Sequence, residues 1–294
     1  MKTLIGPMRP PFLVLTPVCV ALGIAVAYWQ QWQIDHVQSV LVLIGALAAH
    51  ISVNLLNEYF DFRSGLDAHT QRTPFSGGSG TLPAQPAAAS MVFAVAVLSV
   101  AISVSIGAYF LSVRGGALLP LGLLGILLVL AYTPWLTRHA LLCLVAPGLG
   151  FGPCMVLGTY VALTGQYSAS AAAASLIPFF LVSNLLLLNQ FPDVEADRSV
   201  GRSNMPILFG RRVSGYIYMF LFALAWLSLA VAIAVHALPF DSALGFIPMT
   251  FGIPVVYGIK QYTEDSQALI PYLGLNVMLC LATPVFMAVG LYLG

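Results

Sequence analysis

Nine apolar stretches, each about as long as a bilayer is thick, follow one another along this chain. They fall near residues 12–29, 38–58, 90–113, 116–133, 141–163, 170–190, 213–235, 242–259 and 269–292. A helix needs about 20 mostly apolar residues to cross the hydrocarbon core. In lipid, backbone groups must be satisfied within the segment, so each such run has to be helical. The expected fold is therefore all-α, an integral membrane protein with nine transmembrane helices. The first run follows Lys2 and Arg9, as in a signal peptide, but many spans follow it and it reads as a retained helix. Sixty per cent of the residues are hydrophobic and 7% are charged, which excludes an ordinary soluble domain and a disordered chain.

Charge placement tests the helix count. With a cytoplasmic N-terminus, the inside segments hold Lys2, Arg9, Arg63, Arg72, Arg138, Arg198, Arg202, Arg211, Arg212 and Lys260, and the outside segments hold Arg114 alone. A missed span would invert every loop after it, so this bias supports nine spans in the cell (inner) membrane. The same scatter leaves no basic patch, and no nucleic-acid partner is expected. Nothing in the sequence speaks to oligomeric state.

Six of the ten acidic residues sit in two short clusters. The first is Asn57-Glu58-Tyr59-Phe60-Asp61, running on to Asp67. The second is Asn189-Gln190-Phe191-Pro192-Asp193-Val194-Glu195-Ala196-Asp197. Both read Asn-x-x-x-Asp, and both follow a span, the second and the sixth, on the expected cytoplasmic side. Those parent helices are an even number of spans apart and run in the same direction. The chain is thus expected to be one membrane domain, 1–294. It would contain two four-helix halves, about 12–133 and 141–259, and a ninth helix at about 269–292, around a central cavity.

Acidic groups beside hydrocarbon cost roughly 2.5–3.5 kcal/mol each, so their concentration points to a task. Carboxylates and amide oxygens together suit a hard divalent cation such as Mg²⁺, which commonly keeps waters and binds substrate phosphates as well. Helical spacing puts Asn57 and Asp61 on one face, and makes Asn189, Asp193 and Asp197 a stripe continuing helix six, with Pro192 as a possible kink. Asp67, after Gly65, is expected to reach back from a turn. Glu58 and Glu195 point elsewhere and read as solvated surface. Arg63, Arg72, Arg198 and Arg202 flank the clusters and match phosphate geometry, although a topogenic or headgroup charge is the plain alternative. The run Thr73-Pro74-Phe75-Ser76-Gly77-Gly78-Ser79-Gly80-Thr81 is either a flexible linker or a lid that presents backbone N–H groups to an anion. His50 falls in helix two, and His69 and His139 in inside loops. The five histidines form no metal set, and Cys19, Cys143, Cys154 and Cys280 read as small core residues.

At these motifs the chain resembles the UbiA superfamily of intramembrane prenyltransferases, and within it the branch acting on 1,4-dihydroxy-2-naphthoate in menaquinone synthesis. Asn57 to Asp67, Pro74 to Gly80, Asn189 to Gly201, Arg9-Pro10 and Tyr132-Thr133-Pro134 carry the likeness. It implies Mg²⁺-dependent transfer of a polyprenyl group from polyprenyl diphosphate to an aromatic acceptor at the lipid bilayer. The implied metal and diphosphate residues are Asn57, Asp61, Asp67, Asn189, Asp193 and Asp197, with Arg72, Arg138 and Arg202 as further diphosphate partners. Tyr132 would face the reacting centre or anchor at the interface. Two departures stand out. That family usually has Asp where this chain has Glu58, and its Lys and Gly-Glu pair after Tyr-Thr-Pro are absent from Trp135 to Leu144, where Arg138 takes the Lys place. A terpene cyclase on the same scaffold therefore stays open. A transporter is the more distant alternative, disfavoured because the acidic clusters lie at helix ends and not at the midplane.

Overall fold

Each expected apolar stretch folds as a helix in the computed structural model, which describes residues 2–68, 70 and 72–294; His69 lies outside the described residues. In chain order the main helices are α1 (Pro10–Trp29), α2 (His36–Ser64), α3 (Pro86–Arg114), α4 (Gly116–Ala131), α5 (Ala140–Thr164), α6 (Ala169–Asn189), α7 (Met205–Ala234), α8 (Phe240–Tyr262) and α9 (Ser266–Leu293). All except α4 are long and apolar enough to cross a bilayer. The fourth expected span, 116–133, is a shorter helix of about 24 Å, because Pro134 and the turn around it stop the chain early.

Local chemistry sets the boundaries. Asp35 caps α2, its Oδ1 accepting from Val37 N at 2.7 Å and Gln38 N at 3.1 Å. At the other end Gly65 takes φ 80°, a left-handed cap open to a residue without Cβ. Asp265 caps α9 in the same way as Asp35, and the Asn204 side chain accepts from Ile207 N to open α7. Gly210 leaves the helical region within α7, at φ 78°, and kinks it near its first turn.

Small residues let the helices approach, as expected where lipid removes the hydrophobic drive between them. An added Cβ on Gly23 of α1 would stand 2.5 Å from the Val156 carbonyl oxygen of α5, and one on Gly152 of α5 would stand 2.9 Å from Phe179 Cβ of α6. Buried polar pairs add to this. Ser52 Oγ on α2 donates to the Ala96 carbonyl on α3 at 3.0 Å, and Tyr218 OH on α7 donates to Asn276 Oδ1 on α9 at 2.8 Å. The largest core cluster joins α1 and α5 to α9, while α2 packs chiefly on α3. What this arrangement leaves between α2, α3, α4 and α5 is open space.

Candidate active site

That space is a cavity of about 620 Å³. One stripe of α2 lines it from Val42 through Gly45, Ala49, Val53 and Asn57 to Asp61, the i, i+3, i+4 spacing of one helix face. Its deep walls are apolar and include Ile106, Phe110, Leu118 and Ala162. Its other end holds both acidic motifs: Asn57, Asp61 and Asp67 from the first, and Asn189, Asp193 and Asp197 from the second. Tyr132 and Arg202 line it as well.

One guanidinium joins the two motifs. Arg202 Nη1 donates to Asp197 Oδ1 at 2.9 Å, and its Nη2 donates to Asp61. Asn204 Nδ2 takes the second Asp197 oxygen at 2.9 Å. The second motif reaches this position by breaking its helix. Helix α6 ends at Asn189, a turn carries Phe191 and Pro192, and a short helix, Val194–Ser199, follows. Asn189, Asp193 and Asp197 are therefore not one continuous helical stripe, as their spacing suggested. Pro192 offers no N–H to continue the ladder.

Asp67 lies in a single 3₁₀ turn after Gly65 and reaches back to the cavity, as expected. Glu58 corrects the sequence reading. It is fully buried, and it accepts from Ser79 N, from Ser79 Oγ, and from Arg9 Nη2 at 3.5 Å. The Gly-Ser run is thereby fastened to α2, and Phe75, Ser76, Gly77 and Gly78 form part of the cavity wall. Gly78, at φ 71°, passes so close to Asp67 that an added Cβ would stand 2.9 Å from its Oδ1. Glu195, by contrast, is exposed and pairs with Arg198 at 3.3 Å, as expected.

Two expected diphosphate partners are not brought to the cavity. Arg72 is exposed and its guanidinium packs over Gly80. Arg138 is exposed and lines a separate depression behind Asp61 and Arg202. Arg9, counted in the sequence as a loop charge and in the Arg9-Pro10 motif but not as a site residue, does line the cavity. Pro10 disfavours ordinary helical backbone at Arg9. Arg9 sits at φ 52° between the Lys2–Met8 helix and α1, with Nε buried and unpartnered. The Arg-Pro-Pro triplet was the available signal. Cys143 was also missed: it accepts from Gln190 Nε2 at 3.2 Å beside the second motif.

Burial shapes the charges. It pushes the Asp193 carboxyl up to about 7, with the neighbouring Asp197 adding to the rise. It raises Asp67 to about 6, with Glu58 adding, and it raises Asp197 against the pull of Arg202. Asp67 Oδ2, Asn189 Oδ1 and Asp193 Oδ1 are buried without partners. Unpaired oxygens of this kind are what a hard cation would satisfy. Among the described residues no three His, Cys, Asp or Glu side chains converge as a ready-made cage.

Residues 14–270 match the UbiA prenyltransferase family. The 1,4-dihydroxy-2-naphthoate octaprenyltransferase of Haemophilus influenzae is 25% identical over 97% of this chain and 94% of its own length. The enzyme of the same name from Bacillus subtilis is 26% identical over 74% of this chain and 70% of its own. Among solved structures, a UbiA homologue from Archaeoglobus fulgidus bound to DMAPP and Mg²⁺ shares the fold. Its TM-score is 0.62 at 14% identity, over 98% of this chain and 99% of that one. With most of its length matching the family model and its helices matching the fold, the chain belongs to the UbiA prenyltransferase family and is a multi-span membrane prenyltransferase.

Proposed function

We propose that the protein transfers a polyprenyl group from its diphosphate to an aromatic acceptor, 1,4-dihydroxy-2-naphthoate or a related quinone precursor, with Mg²⁺ as cofactor. One observation carries this reading: a single cavity has both acidic motifs at one end and an apolar interior. The names of the Haemophilus and Bacillus relatives support the acceptor, and the Mg²⁺ and DMAPP of the Archaeoglobus structure support the donor and metal.

In this reading Asp67, Asn189 and Asp193, with their unpartnered oxygens, hold the metal together with Asp61 and Asp197. Bound Mg²⁺ supplies positive charge beside the leaving diphosphate. Arg202 and Arg9 add fixed positive charge on the same side, and Asn57 offers an amide. The allylic C–O bond breaks with its electron pair going to the diphosphate. A ring carbon of the acceptor then bonds to the allylic carbon, and the group that carbon carried leaves: a proton to water or the released diphosphate, or CO₂ where the attacked carbon bears the carboxylate. Tyr132 lines the cavity beside this point, and the apolar walls keep water from intercepting the prenyl group. Arg72 and Arg138 lie outside this assignment. The loop charges support a cytoplasmic N-terminus and cytoplasmic motifs. Each four-helix half then contributes one motif.

The test is product analysis. Purified protein in nanodiscs receives Mg²⁺, a polyprenyl diphosphate and 1,4-dihydroxy-2-naphthoate, and products are read by mass spectrometry beside an Asp61→Ala/Asp193→Ala control. A prenylated naphthalene product, with the carboxylate kept or lost as CO₂, that disappears in the control is expected. Diphosphate release without that product would contradict the acceptor and favour internal quenching of the cation, as in a cyclase.

A further inference from the structure

Helix α6 gives way at its end to the turn that carries Asp193, and Phe191 in that turn is fully buried. Pro192 has no N–H to continue the ladder, and the last carbonyls of a helix need donors from elsewhere. The neighbouring carbonyls find them in the backbone. Gln190 O accepts from Asp193 N at 3.2 Å, and Asp193 O accepts from Asp197 N at 2.9 Å. Among the described residues no backbone N–H outside the regular helices reaches the Phe191 carbonyl. Its partner is a side chain of another helix: Arg211 Nε on α7 donates to it at 3.0 Å. A cation at this end of α6 also suits the negative end of the helix dipole. In the sequence Arg211 counts only as a loop charge.

The backbone of α7 is bent at the residue before Arg211. Gly210 has φ 78° and ψ 161°, a region that almost only glycine adopts. Nothing lies within 4 Å of its Cβ position, so backbone conformation and not packing calls for glycine there. The start of α7 thus meets the second motif on both sides of its bend. Asn204, before it, holds the Asp197 carboxylate, and Arg211, after it, holds the Phe191 carbonyl. Asp193, two residues beyond Phe191, lines the cavity with Oδ1 unpartnered, so its place depends on the backbone that carries it. The other contact of Arg211, Nη1 to Glu264 at 3.4 Å, is with a well-exposed carboxylate and contributes little.

We propose that Arg211 is a positioning residue for the second acidic motif: its hold on the Phe191 carbonyl fixes the turn from which Asp193 faces the cavity. The inference rests on the proposed binding of Mg²⁺ and a prenyl diphosphate between the two motifs. Arg211 itself touches neither, and acts through Asp193.

The experiment uses the full chain in nanodiscs: wild type, Arg211→Met, Arg211→Lys, Gly210→Ala, Glu264→Gln, Asp193→Asn and the Arg211→Met/Asp193→Asn pair. Two quantities are read. One is amide exchange in the metal-free protein, and the other is Mg²⁺-dependent binding of a non-reactive prenyl thiodiphosphate. Arg211→Met is expected to speed exchange at Asp193 and Asp197 while α6 stays protected. It should also weaken binding by about tenfold, the scale of a lost outer partner at a metal site. Arg211→Lys, which keeps a donor and the charge, should recover part of both effects, and Gly210→Ala should reproduce them by straining the bend. Glu264→Gln should behave as wild type. In the Asp193→Asn background, Arg211→Met should cost less than about twofold more. Full additivity in that pair would overturn the proposal, since Arg211 would then act elsewhere. Wild-type exchange and binding in Arg211→Met would overturn it too, as would a general loss of protection through α6 and α7, which marks a purely structural role. A loss in Glu264→Gln equal to that in Arg211→Met would shift the effect to the ion pair and likewise overturn it. Absence of Mg²⁺-dependent binding in wild type would instead sink the proposed function.

Discussion

Arg202 is the residue on which the two acidic motifs meet. Its guanidinium is shared between Asp61 and Asp197, all three side chains being largely buried. Removing one partner from such a set strands the remaining charges, at a cost of about 3–5 kcal/mol. Arg202→Met is therefore expected to lower the melting temperature in detergent without Mg²⁺, and to cut transfer by about 100-fold or more. Arg202→Lys keeps the charge but not the fork, and should fall between. Wild-type stability and activity in Arg202→Met would refute this role.

The same burial predicts a pH dependence. Asp193 and Asp67 must be ionised to hold a cation, and their carboxyls are raised to about 7 and about 6. They are charged above those values and become neutral as the pH falls through them, so Mg²⁺ affinity should weaken from about pH 7 downward. The fall is up to about tenfold per pH unit for each proton that must be displaced. Calorimetric titration of Mg²⁺ at pH 8 and pH 6 checks it, with Asp193→Asn expected to flatten the dependence. Equal affinity at both pH values in wild type would contradict it.

Among the elements, the segment between α2 and α3 departs most from what its composition suggested. Its glycines take backbone positions that side chains rarely adopt: Gly77, Gly78 and Gly80 all have positive φ. The segment closes on α2 through Glu58, whose carboxylate holds both Ser79 N and Ser79 Oγ. Charge-assisted bonds of this kind contribute about 1.5–3 kcal/mol each. Glu58→Gln is expected to speed amide exchange across Ser76 to Ser79 while leaving α2 protected. Unchanged exchange there would show that the segment is held by other contacts. No helical-wheel reading could place Glu58, because its partners Ser79 and Arg9 arrive from 21 and 49 residues away, outside any periodic segment. Asp61 and Asn57 were legible, since they lie on the regular part of α2. Asp193 and Asp197 were legible as residues but not as geometry, because the break at Pro192 replaces a helical stripe by a turn and a short helix.

For the whole molecule, the order of the apolar helices could be read from the apolar runs, since lipid leaves the backbone few choices, but the fourth, Gly116–Ala131, is shorter than the span expected there. What could not be read was which side chains share the cavity. Arg72 and Arg138 flank the motifs in sequence yet sit outside it, whereas Arg9 enters it from the start of the chain. These differences arise from how the segments before α1, after α2 and after α4 turn, and not from periodicity. The central claim is that two motifs more than a hundred residues apart act on one donor in one cavity. The most direct measurement is Mg²⁺-dependent binding of a non-reactive prenyl thiodiphosphate to wild type, Asp61→Ala and Asp193→Ala in nanodiscs. Each single substitution is expected to weaken binding by about tenfold or more, a loss of at least about 1.4 kcal/mol. Wild-type affinity in either variant, with the protein folded, would mean that the two motifs do not serve one site.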